Sequence, residues 1–288
     1  MTHTGLPHAR ILMGSFLLSL SFLPACSAPR HKIEPARKNI NGPTQAAFRD
    51  RSEQIRRDPL AYLEEVLQNC RRLEQYSVNF TRQERRGLAF FKRLHEPELI
   101  QCKFRREPFS VYMKWLDPEV KYGESTFVAG RENDKVRFIP RNGLFGLPPT
   151  LQRVELQTPV IWGEARYPMT EFGLERMMEH TFETIRAAGA ECATVYEGVT
   201  RLADSDRPVH FIRFELPSRL FEAPIRELYI DAETDLPVCT RIVFASGKLE
   251  AAYVWADVNP DVHFTDDDFV LDAERNSNAV AETTPSKQ

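Results

Sequence analysis

The chain has 288 residues, of which 42% are hydrophobic and 27% are charged, and its formal net charge is −3. This length suits one large domain or two small ones, with enough apolar residues for a hydrophobic core. The near balance of charge excludes a strongly basic protein of the kind that binds nucleic acid, so no nucleic-acid partner is expected.

Residues 1–26 have the pattern of a bacterial lipoprotein signal. Arg10 precedes the apolar run 11–23, which is too short for a permanent membrane span but fits a secretory signal. The sequence LPAC that ends this segment resembles a lipobox, in which the cysteine is lipidated and becomes the mature N-terminus. We therefore expect lipidation at Cys26 and an exported, periplasmic protein anchored to the inner or the outer membrane. Ordinary cleavage, for example after Ala28, would instead release a soluble product.

Residues 27–57 are predicted to form a tether. They contain scattered proline, glycine and basic residues and almost no apolar periodicity. If Cys26 is lipidated, this tether would hold the folded domain a short distance from the membrane.

The first predicted helix begins at Asp58 and Pro59, a capping acid followed by a proline that suits the first helical position. Apolar residues then recur at helical spacing from Leu60 to Leu73, which predicts one buried face. Acidic residues near the start and basic residues near the end complement the helix dipole.

After this helix the hydrophobic period shifts to two, which predicts strands separated by turn residues. The first set covers residues 77–85, 99–106, 109–115, 125–129 and 135–139, with a weak strand near 154–156. The second set covers residues 193–202, 209–216, 225–231, 238–245 and 248–258. The total of about eleven strands indicates antiparallel meanders.

A loop and a helix separate the two sets of strands. The loop GLFGLPPTL at residues 143–151 presents Leu144, Phe145 and Leu147 at an exposed tip. The helix is predicted to be capped by Thr170 and closed by Gly189. Its apolar face contains Leu174, Met177, Met178, Thr181 and Ile185. Such a helix, inserted between two meanders, is expected to cover one face of the sheet.

Several motifs, taken in order, resemble the lipoprotein-carrier superfamily of LolA and LolB. They are SVNFTRQER (77–85, with Phe80 and Gln83), FRREPFSVYMKW (104–115), GREND (130–134) and the closing segment 227–269 with Asp231, Leu236-Pro237 and Phe269. The pair PFSVYMKW and RYPMTEFGLERMM is similar to a bacterial envelope family in the same fold group, the domain of unknown function 1571.

The resemblance implies a mainly β protein with helices (α+β). The expected fold is an incomplete antiparallel β-barrel of about eleven strands, covered by the N-terminal helix and the mid-chain helix around an apolar cavity. We expect this domain to cover residues 58–272 and residues 273–288 to form a disordered tail.

No pattern in the sequence indicates catalysis, so neither an enzyme activity nor a cofactor or metal is expected. The four histidines of the domain are far apart and are interpreted as surface or edge residues. The acidic run Asp266 to Asp268 is predicted to cap a turn that positions Phe269, rather than to bind calcium. Arginines at 82, 85, 86, 105 and 106 either form a basic rim for lipid phosphates or lie on a solvated face.

The cysteines of the domain are Cys70, Cys102, Cys192 and Cys239, without the Cys-x-x-Cys pairs of zinc or redox sites. In an oxidising compartment they allow zero, one or two disulfides, and the spacing favours no pairing.

The strongest chemical feature is a set of soft apolar side chains that is predicted to line a ligand cavity. Methionine and aromatic side chains adapt to irregular partners such as acyl chains. The set consists of Phe104, Phe109, Val111, Met113, Trp115, Met177, Met178 and Ile185. The same residues would serve equally well as a packed core between helix and sheet.

We therefore expect a non-catalytic envelope protein that holds an acyl chain of a lipid or lipidated protein. The alternative is a lipid-anchored adaptor that docks a protein through the outer face of the sheet or the 143–151 loop. A gap between the strand at 109–115 and the mid-chain helix would favour the carrier, and a continuous packed core would favour the adaptor.

Overall fold

The computed structural model describes residues 48–88, 91–143, 148–203 and 205–275. The predicted signal segment with Cys26, the tether up to residue 47, the loop residues Leu144, Phe145 and Leu147, and the tail from residue 276 lie outside these ranges. Within them, no helix is both long and apolar enough to cross a membrane.

The helices are α1 (Arg49–Arg57), α2 (Pro59–Arg71), α3 (Thr158–Ile161) and α4 (Leu174–Ala188). Asp58 caps α2 as predicted: one of its carboxylate oxygens accepts a hydrogen bond of 3.0 Å from the N–H of Ala61. Pro59 occupies the first turn, where a missing N–H costs nothing.

Helix α1 corrects the predicted tether, because residues 49–57 are helical and packed on the fold. Ile55 is fully buried. Arg51 forms ion pairs with Glu65 at 2.8 Å and with Asp235 at 3.1 Å. The segment RDRSEQIRR offers a single buried apolar residue, so its sequence pattern predicts no buried helix face.

Helix α4 begins after Gly173, and the predicted cap at Thr170 is wrong. Thr170 lies in the short 3-10 turn Met169–Glu171. Gly173 has a φ of 130°, and a Cβ there would lie 3.3 Å from the Phe104 ring. The helix therefore starts where only glycine combines this backbone conformation with close packing on the sheet.

Twelve strands form the sheet in the described chain. They are β1 (Gln75–Arg86), β2 (Arg93–Leu94), β3 (Glu98–Arg105), β4 (Ser110–Trp115), β5 (Tyr122–Val128), β6 (Val136–Pro140), β7 (Gln152–Val154), β8 (Ala193–Arg201), β9 (Pro208–Glu215), β10 (Ile225–Asp231), β11 (Pro237–Val243) and β12 (Leu249–Asn259). Strand β2 was not predicted, because a strand of two residues is too short to show an alternation of apolar and polar side chains.

The strand order is β7-β6-β5-β4-β3-β1-β12-β11-β10-β9-β8, and β2 pairs with β1. All pairings are antiparallel, and the junction of β1 with β12 joins the two meanders at the centre of the sheet. Strands β7 and β8 are the edges, so the sheet is open. The predicted incomplete antiparallel barrel, mainly β with a few helices, is confirmed.

The main core lies between one face of the sheet, here called the inner face, and helices α2 and α4. Phe80, Ile100 and Trp115 occupy matching positions on β1, β3 and β4 and all belong to this core. Leu63 and Met178 contribute from the two helices, and both are fully buried.

The end of the described chain packs on the outer face of the sheet. Thr265 and Asp268 form a capping box around the turn Asp266–Phe269, and Phe269 is fully buried. The predicted capping role of the acidic run is therefore confirmed. Residues 272–275 are helical, and Glu274 pairs with Arg137 at 3.0 Å, so the ordered chain extends three residues into the predicted tail.

Candidate functional site

A cleft of about 210 Å³ lies between the inner face of the sheet and the chain segment that covers it. We call residues 159–188, which include α4, the cover segment. The cleft is lined from the sheet by apolar residues of nine strands and from the cover segment by Trp162, Met169, Phe172, Met177 and Ile185. A gap therefore separates part of the sheet from its cover.

Aromatic side chains form the floor of the cleft. The ring of Phe80 on β1 lies 5.2 Å from the ring of Trp255 and 5.2 Å from the ring of Phe172 in the cover segment. Trp115 lies 5.3 Å from Tyr122. All three tryptophans of the chain, Trp115, Trp162 and Trp255, line the cleft. Rings at these centroid distances are in contact with each other, so together they form a continuous apolar surface under the cleft.

The structure divides the predicted cavity residues into two groups. Met113, Trp115, Met177 and Ile185 line the cleft. Phe104, Phe109, Val111 and Met178 instead pack in the adjoining core. The ring of Phe104 stacks on Tyr76 at 4.8 Å, which leaves no space beside it for a ligand. A ligand-binding role for the first group stays a prediction.

The side chain of Glu98 gathers polar groups at one edge of the cleft. It accepts hydrogen bonds from Arg82 at 2.7 Å, from Trp115 Nε1 at 3.0 Å and from Arg86. Burial acts to raise the pKa of Glu98, but Arg82 and Arg86 outweigh it and hold the pKa below its ordinary value. The carboxylate therefore stays charged and fixes the Trp115 indole in the wall of the cleft.

For Arg82, Arg86, Arg105 and Arg106, the ion pairs correct both sequence interpretations, a basic rim for lipid phosphates and a solvated face. Arg82 and Arg86 are paired with Glu98, Arg105 with Asp266 at 2.9 Å, and Arg106 with Glu175. Each of these arginines has a carboxylate partner within the protein, and Arg82 and Arg86 share one.

Three polar residues of the inner face were missed by the sequence analysis. The Tyr253 hydroxyl donates a hydrogen bond of 2.6 Å to Glu84, and Arg226 lies in the same wall of the cleft. Burial and then Arg166 lower the pKa of Arg226 to about 10. Residues 226–231 show no strict alternation of apolar and polar side chains, so the sequence carried no signal that placed this arginine on the inner face.

In the part of the chain that the structure describes, burial raises the pKa of every cysteine. Cys70, Cys102, Cys192 and Cys239 are free thiols. Burial raises the pKa of Cys70 and that of Cys239 to about 12, so neither forms a thiolate near neutral pH. Across the residues the structure describes, no group of three or more His, Cys, Asp or Glu side chains is arranged to hold a metal ion.

His210 is a correction to the predicted surface histidines. It is fully buried on β9, and its Nδ1 shares a hydrogen bond of 2.8 Å with the Tyr196 hydroxyl. Burial lowers its pKa to about 4, so it is neutral at physiological pH. Its role is to hold α1 against the sheet, since the Tyr196 hydroxyl also donates to Ser52 at 2.9 Å.

The model of one protein family, described as a protein of unknown function (DUF1571), matches residues 73–278. This range contains every strand and both walls of the cleft. The chain belongs to the DUF1571 family. The predicted resemblance is therefore confirmed. No curated protein matches this DUF1571 protein by sequence.

Solved structures similar to this DUF1571 protein include the following three. The Mycobacterium tuberculosis lipoprotein LppX is 12% identical, with 72% of this chain and 100% of that chain covered and a TM-score of 0.40. The LolA superfamily protein NE2245 from Nitrosomonas europaea is 9% identical, with coverages of 73% and 98% and a TM-score of 0.31. MucB in the Pseudomonas aeruginosa MucA/MucB complex is 12% identical, with coverages of 74% and 61% and a TM-score of 0.42. Similarities of this size carry no activity from one protein to another.

Proposed function

We propose that this protein binds an acyl chain of a lipid or lipidated protein in the cleft and acts in the cell envelope without catalysis. The observation that carries the proposal is the gap between Phe80 and Trp255 on the sheet and Met177 on the cover segment. A fully packed interface would bury these side chains against each other, whereas this one keeps about 210 Å³ open.

The driving force would be removal of the acyl chain from water. Each buried methylene contributes about 0.8 kcal/mol, so even part of a chain supplies useful affinity. The ring faces and methionine side chains that line the cleft adapt to a flexible ligand without requiring one fixed shape. Displacement of the cover segment would open the cleft for release.

Lipidation at Cys26 would decide how the protein works in the envelope. An anchored protein would act as an acceptor at one membrane, whereas an unanchored one could carry its ligand through the periplasm. In both cases the proposed location follows from the secretory pattern of residues 1–26.

Native mass spectrometry of the protein purified from a membrane extract tests the proposal. We expect an acyl-containing molecule to co-purify, and added fatty acid to raise the unfolding temperature of the delipidated protein. Met177→Lys should abolish that increase, with circular dichroism showing the fold intact. The proposal fails if no lipid co-purifies and added acyl ligands give no protection.

A second function, docking of a protein partner, is favoured by one observation. Two neighbouring segments, the turn after β1 and the end of α3, carry exposed apolar side chains: Leu88 and Phe91 are 60% and 85% exposed, and Ile161 and Trp162 are 69% and 53% exposed. A hydrogen bond of 2.9 Å from the N–H of Gly87 to the carbonyl of Gly163 joins the two segments. Contiguous exposed apolar surface of this kind is typical of interaction sites.

The two functions separate when this patch is made polar. Phe91→Ser combined with Ile161→Ser should leave fatty-acid protection unchanged, because neither side chain lines the cleft. If docking is the function, the same variant should lose its partner in an in-cell crosslinking experiment in the native host. Unchanged crosslinking would exclude docking through this patch.

A further inference from the structure

Most charged groups in the wall of the cleft are already paired within the protein. Arg82 pairs with Glu98 at 2.7 Å, Glu171 with His180 at 3.0 Å, and Glu164 with Lys121. Such pairs hold their side chains in place, so these groups are engaged before any ligand arrives.

Arg226 differs from these residues. Its Nη1 donates to the carbonyl oxygens of Ala223 and Ile225, at 3.3 Å for Ile225. Over the ranges of chain that the structure describes, its Nε and Nη2 donate no hydrogen bond and it forms no ion pair. The neighbouring carboxylate of Glu250 is held by Arg166 at 2.8 Å. Arg226 is therefore a guanidinium with two donor nitrogens uncommitted in a largely apolar wall.

The environment of Arg226 favours the arrival of an anion. Burial and the nearby Arg166 guanidinium both lower its pKa, to about 10, which still leaves it charged at neutral pH. A partly buried charge without an ion-pair partner is unfavourable, and an oxyanion bound across two guanidinium nitrogens relieves that cost.

The strand register places apolar surface next to this charge. Phe214 on β9 and Ile242 on β11 flank Arg226 across the sheet, and Leu228 follows it on the same face of β10. All three line the cleft together with Arg226. An amphiphile with its head at Arg226 would therefore have its first methylenes against these side chains.

We propose that Arg226 is a headgroup subsite, which binds the anionic oxygens of a carboxylate or phosphate whose acyl tail occupies the cleft. This inference rests on the proposed acyl-binding function. It adds the ligand class: acidic amphiphiles, either fatty acids or lipids with an exposed phosphate, in preference to neutral ones.

Isothermal titration calorimetry of the delipidated full chain tests the subsite with three ligands of equal tail length: dodecanoate, dodecyl phosphate and dodecanol. We expect at least one of the two anions to bind about tenfold tighter than dodecanol. A hydrogen bond to a charged group contributes a binding free energy that corresponds to about this difference in affinity. The tighter anion identifies the carboxylate or the phosphate as the natural headgroup.

Three variants assign the preference to Arg226. Arg226→Gln should bind all three ligands with the affinity of dodecanol, and Arg226→Lys should keep part of the preference. Arg213→Gln is the matched control, because Arg213 lies on β9 on the opposite face and pairs with Glu215 at 2.9 Å. It should retain the full preference.

The outcomes separate this subsite from the proposed function. If none of the ligands binds to the wild-type protein, acyl binding itself is refuted. If dodecanol binds as tightly as both anions, or if Arg226→Gln keeps the preference for an anion, the cleft binds acyl chains and the headgroup subsite is refuted. The wild-type comparison stands even if Arg226→Gln does not fold.

Discussion

The Tyr76 hydroxyl accepts a hydrogen bond of 3.0 Å from the backbone N–H of Leu174, the first residue of α4. Tyr76 is buried on β1, so this bond fixes the start of the cover helix to the centre of the sheet. The first N–H groups of a helix have no partner within the helix, and the tyrosine supplies one here. The bond therefore fixes the start of the helix next to Phe172 and Gly173, which line the cleft.

Tyr76→Phe should loosen the cover segment without unfolding the domain. Loss of one buried hydrogen bond is expected to lower the free energy of unfolding by about 1 kcal/mol. Hydrogen exchange should increase at the first turn of α4, and urea denaturation measures the stability change. Tyr167→Phe is the control, because Tyr167 is 37% exposed. Equal exchange at α4 in wild type and Tyr76→Phe would contradict this role.

Glu98→Gln should strongly destabilise the protein. The substitution leaves the guanidinium groups of Arg82 and Arg86 without their shared carboxylate, and the Glu98 side chain is only 6% exposed. Breaking a buried pair in this way costs about 3 kcal/mol. The measurement is the free energy of unfolding in urea.

Glu132→Gln is a matched control for this loss of charge. Glu132 pairs with Arg153 at 2.9 Å on the surface, with a side-chain exposure of 38%. Exposed pairs contribute about 0–1 kcal/mol, so this variant should stay close to wild type. Similar losses in the two variants would mean that burial of the Glu98 cluster contributes little to stability.

The fold was predictable from the sequence where a hydrophobic period runs through a whole element. Strand β10, Ile225–Asp231, matches its predicted bounds, and the Asp58 cap of α2 is as expected. Helix α1 was not predictable, because its attachment depends on long-range polar contacts such as Arg51 with Asp235. The spacing of apolar residues along the sequence carries no information about contacts between residues that are distant in the chain.

Only half of the predicted cavity residues line the cleft, because a sequence pattern shows burial but not what a side chain is buried against. Alternation correctly places Val111 and Met113 on the inner face of β4, but it cannot distinguish packing against a helix from lining a gap. The structure puts Val111 in the core and Met113 in the cleft. Charged residues such as Arg226 in a strand pattern are read as solvated, and only the strand order brings this one to the inner face.

Stability should fall as the pH decreases from about 6.5 to about 4, because of His210. The unfolded chain binds a proton at this residue below about pH 6.5, whereas the folded chain resists protonation until about pH 4. Protonation thus favours the unfolded state, and the contribution is on the order of 3 kcal/mol across this range.

Urea denaturation at several pH values measures this effect. His210→Asn keeps a polar atom near Nδ1 for the Tyr196 hydroxyl and removes the titration, so its stability should change less over the same range. A pH dependence equal to that of the wild type would contradict the assignment to His210.

The central claim is that the cleft binds an acyl chain, and the tryptophans provide the most direct measurement. Because all three tryptophans line the cleft, a fatty acid brominated along its chain should quench their fluorescence saturably. Thr184→Phe places a ring in the cleft and should weaken this binding about tenfold, through loss of roughly two buried methylenes. Ala187→Phe adds the same ring at an exposed position of the same helix and should bind like wild type. Quenching that rises linearly without saturation, or that is equal in all three proteins, would contradict the account.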